Sequence, residues 1–345
     1  GVKPSIETLV IKTVSSDTMM NELESGSVDL LYSCSGGDTI NAGLDLVEEG
    51  KAADTTYMRN GYGKIQFDCS VFPTDSQNVR QAIAYCLDRN EFARQYTGGY
   101  GSVVHSFYGL AQWEYQDSAE WINENLNTYE MNVDAAKELL EADGWNLNAD
   151  GTPYSGTGTR YKEVDGELVP LVITWCNSEG NPVSELLNVM LAQGPQTAEA
   201  GMKINQNVMT FTELLNYYYR DASQGDKYAV PTYGMFNLAS NFTPAYDQSY
   251  EWTLDPEMVA QGYNLNRLYN ETMDALTMNM VYGVDSSNTQ LYMTYWKGFQ
   301  MLWNELLPQI PLYSNIYITV YPDWLENYTQ DSFWEFQQAI LYATV

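Results

Sequence analysis

The stretch Pro73-Thr-Asp-Ser-Gln-Asn-Val-Arg-Gln-Ala-Ile-Ala-Tyr-Cys-Leu-Asp-Arg89 decides the fold of this chain. It follows residues 64–69, whose apolar and β-branched side chains predict a strand. Thr74 or Asp75 is the expected N-cap of a helix, because a short side-chain oxygen accepts a hydrogen bond from a free backbone N–H. The apolar residues of that helix recur at helical spacing on one face: Val79, Ile83, Cys86 and Leu87. A second helix is predicted from residue 87, ending before Gly98.

On either side of this stretch, strand and helix patterns alternate. Residues 6–14 and 28–32 read as strands, joined by a short helix that Ser16 or Asp17 would cap, which predicts an opening β-α-β unit. A polar, Gly-rich loop is expected at residues 33–37.

Later segments continue the alternation. Asp165-Gly166 predicts a hairpin turn, and a helix is predicted from Pro182 to about residue 200. Further helices would be capped by Thr210 and Ser287, and strands are expected at residues 202–208 and 312–321. The alternation indicates α/β lobes.

Composition excludes several classes of function. The 345 residues include 16 Lys or Arg and 45 Asp or Glu, giving a formal net charge of -29. Nucleic acids and anionic lipids are poor partners for such a surface, because both are bound through clustered cations. No apolar run approaches the roughly 20 residues of a membrane span. Residue 1 is Gly, so the chain is expected to be processed or to lack a leader.

The residues that usually carry catalysis or metal binding are sparse. Cys34, Cys69, Cys86 and Cys176 are widely separated, which argues against zinc; one or two disulfides and four buried thiols both remain open. His105 is the only histidine, and we interpret it as a surface residue rather than a ligand. No nucleophile elbow, metalloprotease helix or phosphate loop occurs. We therefore expect no metal, no cofactor and no enzymatic activity.

The deciding stretch resembles a motif of one transport family. Val79-Arg-Gln-Ala82 and Asp88-Arg89 are similar to the helix signature of the oligopeptide, dipeptide and nickel class (family 5) of extracellular solute-binding proteins, which deliver cargo to ABC importers. Leu23-Glu-Ser-Gly-Ser-Val-Asp29, Ala135-Ala-Lys-Glu-Leu-Leu-Glu-Ala-Asp-Gly-Trp145 and Leu306-Leu-Pro-Gln-Ile-Pro-Leu-Tyr313 resemble further elements of that family, in its order. Arg80 and Arg89, although well matched, are interpreted as structural.

The resemblance implies a two-lobed, periplasmic-binding-protein-like (type II) clamshell of class α/β. Members of the family are longer, so the chain resembles the later portion of one, with one lobe complete and the other partial. Residues 1–65 and 313–345 would form the partial first lobe, and residues 66–312 the second lobe inserted between them. We expect weak or no ligand binding by these 345 residues alone, because a clamshell binds through both walls.

Candidate ligand contacts follow from strand ends and from the resemblance. The region 233–244 lies where peptide-binding members carry an Asp that pairs with the ligand's amino terminus, and here no carboxylate occurs before Asp247. Neutral amides and an aromatic ring would replace it. The predicted ligand-binding residues are Ser33, Ser35, Tyr62, Trp175, Asn177, Ser178, Phe236, Asn237 and Asn241.

The resulting functional hypothesis is a substrate-binding component of an ABC importer that captures a peptide or other small polar solute between two lobes. Its partners would be that ligand and the membrane-embedded permease subunits, and the protein would be a monomeric cell-surface lipoprotein or a periplasmic protein. A carbohydrate-binding importer component is the alternative, and a carbohydrate-active enzyme is a weaker one, since Trp and Tyr are abundant. The acidic balance predicts a cargo that is not strongly anionic.

Overall fold

The structure, a computed structural model, describes residues 1–345 as one eight-stranded sheet, a separate hairpin and surrounding helices. The strands are β1 Leu31–Cys34, β2 Ala53–Met58, β3 Gly61–Phe67, β4 Gly101–Ser102, β5 Tyr161–Val164, β6 Glu167–Pro170, β7 Val172–Ser178, β8 Lys203–Met209, β9 Met235–Asn241 and β10 Gln309–Tyr321. The helices are α1 Met19–Glu24, α2 Gly37–Glu48, α3 Gln77–Tyr85, α4 Arg89–Thr97, α5 Trp113–Gln116, α6 Ala119–Asn125, α7 Val133–Ala142, α8 Pro182–Leu187, α9 Pro195–Ala200, α10 Phe211–Tyr219, α11 Asp226–Ala229, α12 Pro256–Ala260, α13 Glu271–Tyr282, α14 Thr289–Leu306 and α15 Phe336–Tyr342. None of the helices combines the length and apolar character that a membrane span requires.

Three strands run through the middle of the sheet and connect its two ends. The strand order is β1-β10-β3-β9-β7-β8, with β2 and β4 also paired to β10. The first residues of β10 pair with β3, and its later residues pair with β4, β2 and β1. β9 is antiparallel to β3 and parallel to β7. The long strand β10 thus belongs to both ends of the sheet.

Buried apolar residues form separate cores at the two ends. A cluster of 29 residues and an aromatic cluster of 14 lie mainly within residues 62–313. Two smaller clusters contain five residues each. One joins Leu31, Cys34 and Ile40 to the end of β10, and the other lies within residues 325–343. This distribution agrees with one large body and one small body, while the boundaries at residues 65 and 312 remain a prediction.

The stretch that decides the fold forms the predicted helix pair. Its four apolar residues, from Val79 to Leu87, have no exposed surface. The cap of α3 is Ser76 rather than Thr74 or Asp75, because the hydroxyl of Thr74 donates instead to the carbonyls of Asp68 and Val71. Asp88 caps α4 by accepting a hydrogen bond from the N–H of Glu91. Gly98 ends that helix in the left-handed conformation, with φ of 59°.

The predicted β-α-β unit at the start of the chain is wrong. Residues 6–14 form no strand, and the side chains of Val10 and Ile11 are 87% and 90% exposed. The strand expected at residues 28–32 is β1, which begins at Leu31 and pairs antiparallel with β10. β-Branched residues favour a strand only where a neighbouring strand supplies hydrogen bonds, and no strand of this chain pairs with residues 6–14.

Other local predictions shifted in their boundaries. The loop expected at residues 33–37 is shortened to residues 35–36, because β1 extends to Cys34 and α2 begins at Gly37. The helix predicted from Pro182 is interrupted by a π-helical segment, Asn188–Ala192, and resumes as α9. The cap of α14 is Asn288 rather than Ser287. Two other predictions are confirmed: Thr210 caps α10, and the Asp165-Gly166 turn joins β5 to β6. All four cysteines are buried and free.

Two buried arginines join the helix pair to the rest of the large body. Arg80 donates to the carbonyls of Thr74 and Asp75 before α3 and to those of Leu306 and Leu307 at the end of α14. Arg89 donates to the carbonyls of Val104, Thr128 and Pro311. Both guanidinium groups satisfy backbone acceptors and neither forms an ion pair, so the structural interpretation of both residues agrees with their contacts.

His105 packs beside Arg89 and is partly buried, not a surface residue. One ring nitrogen lies 3.5 Å from a guanidinium nitrogen of Arg89. Burial, and secondarily the positive charge of Arg89, lowers the pKa of His105 to about 4. The imidazole is therefore neutral at pH 7.

We expect Arg89→Met to reduce the free energy of unfolding by about 3 kcal/mol, because it leaves buried carbonyls without a donor. Arg94→Met is the matched control: Arg94 lies on the same helix, is 68% exposed and pairs only with Glu91, so its loss should reduce the free energy of unfolding much less. Urea unfolding followed by tryptophan fluorescence measures both. Equal losses in the two variants would contradict the structural role of Arg89.

The position of His105 predicts a loss of stability in acid. The pKa is lowered in the folded chain, so between about pH 6.5 and pH 4 only the unfolded chain takes up this proton, and the free energy of unfolding falls as pH falls. The contribution of His105 to this loss of unfolding free energy should reach about 2–3 kcal/mol near pH 4, and His105→Gln should lack that contribution. Urea unfolding of both proteins from pH 7 to pH 4 tests this; parallel curves would show that the histidine has no such effect.

Candidate ligand site

The central strand β9 has an edge that no strand of this chain occupies. β9 pairs with β3 along its whole length, but with β7 only at Met235 and Phe236. The N–H of Phe242 donates to the carbonyl of Asn60, so the even-numbered residues of β9 exchange hydrogen bonds with β3. The backbone N–H and C=O groups of Ala239 and Asn241 consequently point away from β3, and both residues are exposed.

Small residues line one face of the sheet beside this edge. Gly61 and Gly63 of β3 lie opposite Asn241 and Ala239, so the four residues share a face. A Cβ at Gly63 would lie 2.4 Å from the ring of Tyr313, so glycine is needed for that ring to lie against the strand. The result is a floor of small residues, in which both glycines are buried and Ala239 is exposed next to free backbone groups.

Arg59 supplies a positive charge at the end of this floor. Its Nε donates to Oδ1 of Asn241 over 2.9 Å, and its terminal nitrogens donate to Oδ1 of Asn315 and to the carbonyl of Ser240. The guanidinium also lies over the ring of Tyr317, 5.6 Å from its centroid. All of these partners are neutral.

Tyrosine rings extend the site toward the small body. Tyr57 lies between Tyr317, at 5.7 Å between ring centroids, and Ser33, whose hydroxyl contacts the Tyr57 hydroxyl. The hydroxyl of Ser35 is 3.2 Å from that of Tyr96, which packs on Tyr313 at 4.6 Å. The structure thus brings three predicted residues, Ser33, Ser35 and Asn241, to one wall of tyrosines around Arg59.

A second polar group lies at the carboxyl end of β7. Ser184 donates to Oδ1 of Asn237 over 2.5 Å, and the amide of Asn237 donates to the carbonyl of Lys64. The side chain of Asn181 caps α8 and also donates to the hydroxyl of Ser178. Asn177, on the same strand end, has a buried Oδ1 without a partner. Asn177, Ser178 and Asn237 therefore form a separate cluster from the tyrosine wall.

The remaining predicted residues lie in the protein core. Tyr62 and Trp175 have no exposed surface, and Phe236 is packed by Tyr218 and Tyr233. The hydroxyl of Tyr62 donates to Oε1 of Gln309. In this conformation these side chains offer no surface to a ligand, and their role as ligand contacts stays a prediction.

A second cation lies on the opposite face of β3. Nζ of Lys64 donates to the hydroxyl of Ser240 over 2.7 Å, and no ion pair of the structure includes Lys64 or Arg59. Burial lowers the pKa of Lys64 to about 8, against the opposing influence of Glu251. The crossing strands therefore carry two cations that form no ion pair with a carboxylate.

Sequence reasoning missed Arg59 and the tyrosine wall. The spacing of Gly61 and Gly63 directly after Arg59 was an available signal, because two glycines on one face of a strand indicate close approach of another group. Tyr317 lies four positions after Tyr313, and an even offset is typical of side chains on one face of a strand. Their convergence with Ser33 and Tyr57 depends on pairing between distant segments.

A surface groove with a volume of about 820 Å³ lies elsewhere, along the outer edge of β8. It is lined mainly by neutral residues of β8, α9 and the π-helical segment. Its only charged lining residue is Lys203. The crossing strands are the stronger candidate for a ligand site, because free backbone groups, aromatic rings and an unpaired cation converge there.

Comparisons with known proteins identify the family. A sequence model described as bacterial extracellular solute-binding proteins, family 5 Middle, matches residues 1–297. The oligopeptide-binding protein OppA of Lactococcus lactis subsp. cremoris (strain SK11) is 25% identical over 230 residues, which cover 63% of this chain and 35% of that protein. The chain spans about a third of the length of this curated relative.

Solved structures share the fold. AppA from Bacillus subtilis, in complex with a nonapeptide, aligns with a TM-score of 0.76 at 18% identity, over 96% of this chain and 58% of AppA. An oligopeptide-binding protein from Thermus thermophilus, complexed with a pentapeptide, aligns with a TM-score of 0.73 at 21% identity, over 95% of this chain and 53% of that chain. NikA from Brucella suis, in complex with Fe(III)-EDTA, aligns with a TM-score of 0.69 at 17% identity, over 100% of this chain and 63% of NikA.

These alignments confirm the α/β, type II periplasmic-binding-protein-like fold. Coverage of little more than half of each solved structure fits one complete lobe and one partial lobe. With a family match over residues 1–297, this chain belongs to the bacterial extracellular solute-binding proteins of family 5.

Proposed function

We propose that the polypeptide containing this chain is the substrate-binding component of an ABC importer and captures an extended peptide. The observation that carries the proposal is the free edge of β9 at Ala239 and Asn241. An extended peptide adds to such an edge through backbone hydrogen bonds, which require no particular side chain. The names of the relatives, which include oligopeptide-binding proteins, support the same ligand class.

The proposed arrangement places the ligand between two lobes. Residues 66–312 would form one lobe, with residues 1–65 and 313–345 in the other, and β3, β9 and β10 would cross between them. The separate cores at the two ends of the sheet support this division. Closure would bring the Asn177, Ser178 and Asn237 cluster toward the tyrosine wall.

The proposed partners and location are those typical of the family. The loaded protein would deliver its cargo to membrane-embedded permease subunits, as a monomer outside the cytoplasmic membrane, anchored as a lipoprotein or free in a periplasm. The net charge of -29 supports a solvent-exposed, monomeric protein. The relatives named above are binding proteins, and we propose that this chain also lacks enzymatic activity.

The ligand's amino terminus would not be held by a carboxylate on β9. That strand carries none, and Asp247 accepts hydrogen bonds from the backbone and hydroxyl of Ser249 instead. Binding would therefore rest on backbone pairing, ring contacts and neutral amides. A carbohydrate is the second candidate ligand, because tyrosine rings beside amides also suit sugars.

We expect the native polypeptide that contains this chain to bind peptides of about three to nine residues and to give no calorimetric heat with oligosaccharides. Isothermal titration with a peptide pool and a matched oligosaccharide pool tests this. Binding of oligosaccharides alone would favour the carbohydrate-binding alternative. Hydrolysis of those sugars, followed by mass spectrometry, would instead indicate an enzyme.

We expect Ala239→Pro to weaken peptide binding about five- to tenfold, because it removes one outward N–H and spares the hydrogen bonds between β9 and β3. Ala239→Ser is the matched control, since it changes the same position but keeps the N–H. Its affinity should stay within about twofold of the unaltered protein. Equal affinity in the proline variant would show that the ligand does not pair with this edge.

A further inference from the structure

Two arginines meet a single carboxylate directly after β3. Oδ2 of Asp68 accepts from Nη1 of Arg267 over 3.0 Å and from Nη2 of Arg220 over 2.7 Å. Oδ1 of Asp68 accepts from the backbone N–H and the hydroxyl of Ser70. No other carboxylate forms an ion pair with either arginine. The cluster therefore has an excess of positive charge.

Arg220 is the more exposed of the two arginines. The side chain of Arg267 is 12% exposed and donates also to the carbonyls of Leu265 and Tyr218, so its donors serve acceptors within the chain. The side chain of Arg220 is 22% exposed, and both of its hydrogen bonds come from Nη2. Arg220 also has a φ of 54° at the C-cap of α10, where glycine is the usual residue. The excess cation is thus held in a fixed position at the surface, with Nη1 unpaired within the chain.

Two exposed tyrosines flank this cluster. Tyr219 directly precedes Arg220 and is 52% exposed, and Tyr269 is 54% exposed two positions after Arg267. Burial, the largest influence, lowers the pKa of Arg267, and Tyr269 lies close enough to oppose that shift. Tyrosine and arginine are among the residues most enriched at the energetic centres of protein interfaces. The composition of this surface therefore suits a protein partner.

The charge of the cluster complements that of a membrane protein's outer segments. The carboxylates nearest in sequence, Asp221 and Glu271, form no ion pair with the two arginines, and Asp221 accepts from the backbone and hydroxyl of Ser223 instead. Lys and Arg of membrane proteins concentrate in loops on the cytoplasmic side, so the loops outside are poor in cations. A cation of this chain therefore meets little repulsion from such a loop and can pair with a carboxylate on it.

We propose that Tyr219, Arg220 and Tyr269 form a docking surface for an acidic segment that the permease subunits expose outside the membrane. Nη1 of Arg220 donates to a carboxylate of that segment, and the two tyrosine rings pack around the contact. Arg267 is a positioning residue, because it neutralises Asp68 and leaves the charge of Arg220 for the partner. The inference rests on the proposed function and specifies where the partner binds.

The test measures binding of the peptide-loaded native polypeptide to its own permease subunits, reconstituted in lipid nanodiscs. By biolayer interferometry, Arg220→Gln should weaken this binding about tenfold, and Arg220→Lys, which keeps the charge, about threefold or less. Tyr219→Ser should weaken it about fivefold, because it removes contact area beside the ion pair. Peptide affinity, measured by isothermal titration, should stay within about twofold in all three variants, since neither residue lies in the candidate ligand site.

Two controls separate docking from a general effect on the fold. Tyr282→Ser removes an equally accessible ring, 72% exposed at the far end of α13, and should leave permease binding unchanged within about twofold. Tyr219→Ser spares the ion pairs of Asp68, so it remains a valid test if Arg220→Gln unfolds. The difference between Arg220→Gln and the unaltered protein should also shrink in about 1 M salt, because salt screens an ion pair.

The outcomes distinguish this inference from the proposed function. Weaker permease binding at unchanged peptide affinity would support the docking surface. Unchanged permease binding in both Arg220→Gln and Tyr219→Ser would overturn it and leave peptide binding intact. If the unaltered, loaded protein does not bind the permease subunits, the docking surface and the proposed partner are both wrong. Absence of peptide binding would overturn the proposed function and this surface with it.

Discussion

Two buried guanidinium groups determine where the long strand β10 enters the sheet, and the candidate site depends on that position. Arg80 holds the last carbonyls of α14, and Arg89 holds the carbonyl of Pro311 within β10. The strand then continues to Tyr313 and Tyr317, whose rings cover Gly63 and Arg59. A buried donor that serves several backbone acceptors is hard to replace, because each acceptor left alone carries its own desolvation cost.

Charge is distributed unevenly between the surface and the crossing strands. The chain has a formal net charge of -29, but Arg59 and Lys64 on or beside β3 have no ion-pair partner. Surface carboxylates are screened by salt beyond roughly 10 Å, whereas a cation in a partly desolvated site acts on a ligand at short range. Net charge alone therefore does not describe the local electrostatics of the crossing strands. The sequence-based expectation against anionic cargo followed the global charge and did not include this local one.

Local chemistry predicted elements well and long-range pairing poorly. The helix pair α3 and α4 was predicted within two residues at its start, because caps and apolar spacing act over a few residues. Residues 6–14 were predicted as a strand and form none, since a strand exists only with a partner. Of the candidate site, Ser33, Ser35 and Asn241 were named but Arg59, Tyr57 and Tyr317 were not. Those residues converge through the pairing of β10 with β2 and β3.

The sequence by itself determined the family, the α/β class, the helix pair and the structural role of two arginines. These properties reside in contiguous residues, where spacing and capping chemistry are sufficient. Only the tertiary structure decided which candidate side chains converge and which are buried in the core. Trp175 and Tyr62 became core residues, while Arg59 and Asn241 became neighbours although 182 positions separate them. Burial and strand register are properties of the packed chain, and they set both the free edge of β9 and the orientation of the Asn241 amide.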